Sequence, residues 1–189
     1  MDDMDSFFKR VDQVYDILKM AKERKMKTAT EDEESLFAIE EENSYDIPFV
    51  KVKRAVCESI FFNVPPAPPE SGGILGIKNG VICAFVPDNS KQESERATYS
   101  PNIQFLNKCI EKWTDEGIEF CGIIHSHPSK QTTLSAADME YIEEMYLNNP
   151  SLGITYFPLF IDGRDMIVYS VKKRNGQICT RRIQPKIVD

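Results

Sequence analysis

The chain has 189 residues, of which 41% are hydrophobic, and this is enough for one folded core of ordinary size. Its apolar stretches are far shorter than the roughly 20 residues that a bilayer-spanning helix needs. The N-terminal sequence MDDMDSFFKR is acidic where a signal peptide would be basic. We therefore expect a cytoplasmic protein without a membrane partner.

The net charge of −7 is concentrated in the first quarter of the chain. Residues 1–50 carry 14 acidic and 7 basic side chains, whereas residues 51–189 carry 16 of each. Acidic surfaces oppose association with phosphate backbones, so we expect no nucleic-acid partner. We predict an acidic, helical N-terminal arm over residues 1–47. Residues 48–189 then form the folded domain, which ends in a basic tail that the acidic arm could contact.

The first half of the chain carries a helix pattern, a strand pattern and a hairpin. Apolar residues from Phe7 to Ala21 follow the three-and-four spacing of an amphipathic helix. Residues 49–64 begin like a strand and continue in a run that fits either strand or helix. The segment PPAPPE then makes a stiff connection. Two strands joined at Asn79 and Gly80 form a hairpin, since both positions tolerate positive φ.

The middle of the chain alternates between helix and strand. Ser100 and Pro101 open a helix that Gly117 stops. The apolar run FCGIIHSH is typical of a buried strand, which Pro128 ends. Ser135 caps the helix that follows.

Two further hairpins are predicted near the C-terminus, at Asp162-Gly163 and at Asn175-Gly176. Together these elements predict a mixed α/β domain of the α+β kind. Its sheet is mostly antiparallel and is flanked by helices.

Both histidines of the chain lie in one short stretch, GIIHSHP. If this stretch is a strand, His125 and His127 point to the same side, about 6.6 Å apart along the chain. Asp138, in the first turn of the next helix, is placed to add a carboxylate. Two imidazoles and one carboxylate suit zinc and leave a fourth position open, as in catalytic sites. The five cysteines form no CxxC pair, which argues against a cysteine-rich zinc site.

Each of these residues also has a purely structural interpretation. A single histidine in a strand is usually a core or surface residue, and a glutamate that follows prolines is usually solvated. Ser135 with Asp138 three residues later is the pattern of a capped helix N-terminus. The combination of these features favours one shared site over separate structural roles.

The pattern H-S-H-P-x6-S-x2-D, preceded by E-S-G-G-I-L-G, resembles the JAMM (MPN-plus, JAB domain) zinc metalloprotease family, and its bacterial members in particular. The resemblance covers about residues 50–173 and implies an MPN/JAB-like, cytidine-deaminase-like fold. It implies one Zn²⁺ per chain, bound by His125, His127 and Asp138. It further implies Glu70 as the general acid/base and Ser135 as a hydrogen-bond donor to the oxyanion.

The resemblance also implies an activity, namely hydrolysis of the amide that follows the C-terminal glycine of a ubiquitin or ubiquitin-like protein. This reaction serves deconjugation or precursor processing, and E1-like or E2-like enzymes are possible partners. Three alternatives stay open. The protein could process a sulfur-carrier protein, it could resemble the RadC branch, or it could be a non-catalytic MPN scaffold.

Overall fold

A computed structural model describes residues 48–88, 99 and 101–189. In chain order, its elements are β1 (Phe49–Lys53), α1 (Arg54–Asn63), β2 (Gly72–Lys78), β3 (Val81–Pro87), α2 (Ile103–Asp115), β4 (Glu119–His127), α3 (Ala136–Asn148), β5 (Thr155–Ile161), β6 (Asp165–Arg174) and β7 (Gln177–Val188). The predicted arm, including the helix pattern from Phe7 to Ala21, lies outside the described residues. Among those that are described, no helix is long and apolar enough to cross a membrane.

The seven described strands form one closed barrel in the order β1-β3-β2-β4-β5-β6-β7. Four ladders are antiparallel and three are parallel, so the predicted mixed, mostly antiparallel sheet is confirmed. The sheet also closes into a barrel, a feature that was not among the predictions. The reason is β1, which pairs in parallel with both β3 and β7 and so joins the two ends of the sheet. Closure of this kind removes exposed strand edges.

The three predicted hairpin turns are present. Asn79, Asp162 and Asn175 each have φ between 50° and 53°, and the glycine that follows each of them is also at positive φ. The turns at Asn79 and Asn175 have two residues, both of which require left-handed backbone, whereas the turn at Asp162 has three residues, 162–164. The ambiguous stretch after residue 49 resolves into the short strand β1 followed directly by α1.

The predicted start of α2 is wrong by two residues. Asn102, rather than Ser100 or Pro101, is the N-cap, and its side chain accepts a hydrogen bond from Phe105 N at 3.2 Å. Asparagine is a strong N-cap because its side-chain oxygen satisfies an amide that the helix leaves unpaired. Ser100 itself lies outside the described residues.

Two apolar clusters cover opposite faces of the central strands. One cluster joins α1 to the barrel interior and includes Cys57 and Ile124. The other packs α2 and α3 on the outer face and includes Trp113, Ile123 and Ile142. Because Ile123 and Ile124 point to opposite faces, β4 is buried on both sides. This explains the continuous apolar run that leads into the two histidines.

Gly122 sets the contact between β4 and β5. Its φ is +149°, and a Cβ at this position would overlap the Tyr156 carbonyl oxygen. We therefore expect Gly122→Ala to lower the free energy of unfolding by about 3 kcal/mol, because the backbone is strained and the strand must shift. Urea-induced unfolding measures the change.

Gly153→Ala is the matched control, since nothing lies within 4 Å of a Cβ there. It should change the free energy of unfolding by no more than about 0.5 kcal/mol. Equal effects of the two substitutions would contradict this account of the contact.

Candidate metal centre

The two histidines lie at the C-terminal end of β4, on the same side of the strand. They are almost fully buried, with 3% and 1% of their surface exposed, and their Nε2 atoms are 2.8 Å apart. Two ring nitrogens this close need a shared proton or a cation between them, because two lone pairs repel each other. The alternation of side chains along the strand therefore brings His125 and His127 together, as the sequence predicts.

The backbone orients His127 for coordination. Its Nδ1 donates a hydrogen bond to the Gln131 carbonyl oxygen at 3.1 Å, so the neutral ring carries its lone pair on Nε2, which faces His125. This second contact fixes the tautomer, as is usual for histidine ligands of metals. The loop after Pro128 supplies the carbonyl, and no sequence pattern indicated it.

The His125 ring is held by stacking. It lies against Tyr99, with ring centroids 5.8 Å apart and an interplanar angle of 13°. Its Nδ1 is buried and has no hydrogen-bond partner in the described part of the chain. Its Nε2 faces both His127 and the Asp138 carboxylate.

Asp138 brings a carboxylate to both imidazoles. Its Oδ1 is 3.1 Å from His125 Nε2, and its Oδ2 is 3.3 Å from His127 Nε2. The same residue completes a capping box at the start of α3. Ser135 N donates to Asp138 Oδ2 at 2.6 Å, and Asp138 N donates to Ser135 Oγ at 3.1 Å. The helix cap and the contacts with the histidines thus exist together and are not alternatives.

The charges around the two histidines favour binding of a cation. Burial acts to raise the pKa of Asp138, but hydrogen bonds from His125 and His127 outweigh burial and hold that pKa well below its usual range. Burial likewise acts to lower the pKa of His127, yet the hydrogen bonds to Asp138 and Gln131 raise it overall. A carboxylate that stabilises a protonated imidazole also stabilises a metal ion in the same place.

Glu70 also lies close to the histidines. The residue is 7% exposed, and its Oε1 lies 4.0 Å from His127 Nε2. Its second oxygen, Oε2, accepts a hydrogen bond from Tyr99 N at 2.9 Å. Glu70 is therefore buried and hydrogen-bonded. It is not the solvated side chain that is usual for a glutamate after prolines.

Pairing between β2 and β4 carries Glu70 to this position. Ser71 N donates to Ser126 Oγ at 3.0 Å, and Ser126 N donates to the Ser71 carbonyl oxygen at 2.7 Å. The next residue, Gly72, lies opposite His125, where an added Cβ would come within 2.9 Å of the His125 Cβ. Only glycine permits this close approach of the two strands.

Tyr99 and Asp88 extend the network and were not found by sequence reasoning. Asp88 Oδ2 accepts hydrogen bonds from the Tyr99 hydroxyl at 3.2 Å and from Asn102 N at 2.7 Å. Burial, followed by the Asp88 charge, raises the pKa of Tyr99 well above its usual range, so the hydroxyl stays protonated and donates. These residues carry no motif of their own, and their role depends on the fold.

The donor atoms are close enough together to share a small divalent metal ion. Ligand atoms about 2.0–2.1 Å from a tetrahedral zinc ion are roughly 3.3 Å from one another. Here His125 Nε2 lies 2.8 Å from His127 Nε2 and 3.1 Å from Asp138 Oδ1, and His127 Nε2 lies 3.3 Å from Asp138 Oδ2. The group of Glu70 with the two histidines also falls within 4.8 Å. Asp138 is the nearer of the two carboxylates to the histidines.

A small cavity of about 40 Å³ opens beside His125 and Asp138, between Tyr99 and Tyr141. This volume is enough for a water molecule. Ser135 lies at the adjacent helix start and is partly exposed. Its oxygen accepts from Asp138 N, so its hydroxyl proton is available for another acceptor. The structure thus gathers four of the five predicted residues and places Ser135 at their side.

No protein-family model and no curated protein matches the sequence. A protein from Desulfitobacterium hafniense, known from its solution structure, is similar in fold, with a TM-score of 0.53 and 14% identity over 74% of this chain and 93% of that chain.

Two further solved structures align more loosely. One is a JAB1/MPN domain protein from Archaeoglobus fulgidus, with a TM-score of 0.42 and 16% identity over 74% of this chain and 97% of that chain. The other is described as JAMM, a metalloprotease-like zinc site in the proteasome and signalosome. Its TM-score is 0.43, with 16% identity over 75% of this chain and 100% of that chain. Structural neighbours of the chain thus include proteins named for the JAB1/MPN domain and the JAMM zinc site.

Proposed function

We propose that this protein is a zinc-dependent amide hydrolase of the JAMM type. The observation that carries the proposal is the convergence of His125, His127 and Asp138. Each of these residues has a donor atom within 3.3 Å of one on each of the other two, and Glu70 is anchored beside them. The order and spacing of these residues in the sequence, which resemble the JAMM pattern, support the same conclusion.

In this proposal His125, His127 and Asp138 hold the metal. Zinc, when bound there, would act as a Lewis acid and would lower the pKa of water to about 7. Glu70 takes a proton from the attacking water and passes it to the departing amine as the carbon–nitrogen bond breaks. Its second oxygen stays on Tyr99 N, which keeps the carboxylate in place during both transfers. The Ser135 hydroxyl donates a hydrogen bond to the oxygen on which negative charge develops.

The substrate we propose is the amide that follows the C-terminal glycine of a ubiquitin or ubiquitin-like protein, in a conjugate or a precursor. The resemblance to bacterial JAMM members supports this choice. E1-like and E2-like enzymes are the partners that such a substrate implies. We propose a cytoplasmic setting on the sequence grounds above.

Metal binding tests the centre directly. We expect the purified protein to retain about one zinc ion per chain after dialysis, measured by elemental analysis. His127→Ala should weaken zinc binding by at least about 100-fold, because loss of a ligand costs more than loss of a supporting hydrogen bond.

Thr133→Ala is the control for this measurement, since Thr133 is exposed in the same loop. It should bind zinc like the unaltered protein. A protein that holds no zinc, or a His127→Ala variant that holds it normally, would overturn the assignment and favour the scaffold alternative.

The role of Glu70 is tested by Glu70→Gln, which keeps an oxygen for Tyr99 N but removes the base. We expect zinc content to be unchanged and turnover to fall by about 10²–10⁴-fold. The assay uses lysine-linked conjugates and C-terminally extended forms of several ubiquitin-like proteins, with a chelator as the blank. Glu111→Gln, at an exposed position of α2, is the matched control. Normal turnover by Glu70→Gln would exclude it as the base.

The two roles of Ser135 can be separated because glycine is a tolerable N-cap. Ser135→Gly should cost only a few tenths of a kcal/mol of stability, whereas Ser135→Ala should cost about 1 kcal/mol. Both substitutions remove the hydroxyl, so both should lower turnover by roughly 10²-fold or more. Unfolding curves and turnover are measured on the same preparations. A Ser135→Gly enzyme with full turnover would leave Ser135 with the capping role alone.

A further inference from the structure

A second cavity lies at the opposite end of the barrel from the metal centre. Its volume is about 390 Å³, and it is lined by Pro48 and Phe49, by the start of β5, by the end of β6 and by β7. His127 is level with Ile161 on β5, whereas this groove contains Tyr156. Five residues of strand separate the two levels, which is roughly 16 Å. We call it the distal groove.

The distal groove combines apolar surface with positive charge. Ile154, which is 55% exposed, and Tyr156 supply apolar surface. Lys172 and Arg181 line the groove and are exposed, and none of its lining residues is acidic. Within the described residues, neither Lys172 nor Arg181 makes an ion pair. Such a surface fits a partner that is both apolar and acidic.

The chain itself contains a segment of this chemistry. Residues 31–47, EDEESLFAIEEENSYDI, carry eight carboxylates and no lysine or arginine around the apolar residues Leu36, Phe37 and Ile39. The segment lies outside the described residues, and the next residue, Pro48, lines the groove. We propose that residues 31–47 bind in the distal groove, with Phe37 against its apolar surface and the neighbouring carboxylates near Lys172 and Arg181.

The short connection to Pro48, which acts as a tether, favours residues 31–47 over a separate molecule as the occupant of the distal groove. Phe37 is eleven residues from Pro48, a span of up to roughly 36 Å, so it reaches any part of a groove that begins at Pro48. A ligand on so short a connection has an effective concentration in the millimolar range, which a second copy of the chain in dilute solution does not match. The excess of eight negative charges on the segment adds attraction that salt would screen.

Binding at the distal groove has a functional consequence. The segment would cover exposed apolar surface at one end of the barrel while the metal centre at the other end stays open to substrate. The arm would then stabilise the domain without blocking the centre, and the inference holds whether or not the proposed hydrolase activity is correct.

Cys179 provides a direct test, because it lines the groove and is exposed, whereas Cys57 and Cys121 are buried. In the full chain carrying Ala38→Cys, we expect mild oxidation with diamide to link position 38 to Cys179 within one molecule. Peptide mapping and non-reducing electrophoresis identify the link. Its rate should not depend on protein concentration, and it should exceed the rate for Ala29→Cys by at least about tenfold.

Ala29→Cys is the matched control, since the same residue type is changed on the same tether, beyond the acidic segment. Adding Phe37→Ser, or raising the salt to about 1 M, should reduce the Ala38→Cys rate toward the control, because one removes the apolar contact and the other screens the charges. Equal rates for the two cysteine variants, or links only between molecules, would overturn the proposal. The second result would assign the groove to another copy of the chain.

Discussion

The close pairing of the start of β2 with the end of β4 is the constraint on which the site depends. Gly72 lies opposite His125 because it has no side chain, and Ser71 and Ser126 exchange hydrogen bonds just beyond it. This pairing delivers Glu70 to the imidazole pair from a segment 55 residues earlier in the chain. A side chain at position 72 would separate the strands and withdraw the carboxylate from the histidines.

The remaining groups are oriented by contacts that also stabilise the fold. The capping box that begins α3 holds the Asp138 carboxylate toward both histidines, so one set of hydrogen bonds serves the helix end and the candidate ligand. The Gln131 carbonyl sets the tautomer of His127 in the same way. Groups held before a metal arrives lose little freedom when it binds, which favours affinity and a defined geometry.

Local sequence patterns predicted the local structure well, but they did not predict the pairing of strands that are distant in the sequence. The hairpin turns at positive φ, the buried strand before the histidines and the Ser135 cap all depend on neighbours within a few residues. The start of α2 was misplaced because Asn102 competes with Ser100 and Pro101 as a cap. Closure of the barrel was not predicted because it depends on the pairing of β1 with β7, more than 130 residues away. The local spacing of apolar residues does not indicate such a contact.

The sequence by itself determined which residues are chemically able to form the centre. Two histidines at alternate positions of a strand share a face whatever surrounds them, and Asp138 follows Ser135 at a capping distance. Tertiary structure decided the distances between them, the burial of Glu70 and the supporting roles of Tyr99 and Gln131. The physical reason is that side-chain type and period are local properties, whereas desolvation and hydrogen bonding depend on which distant segments the barrel brings together.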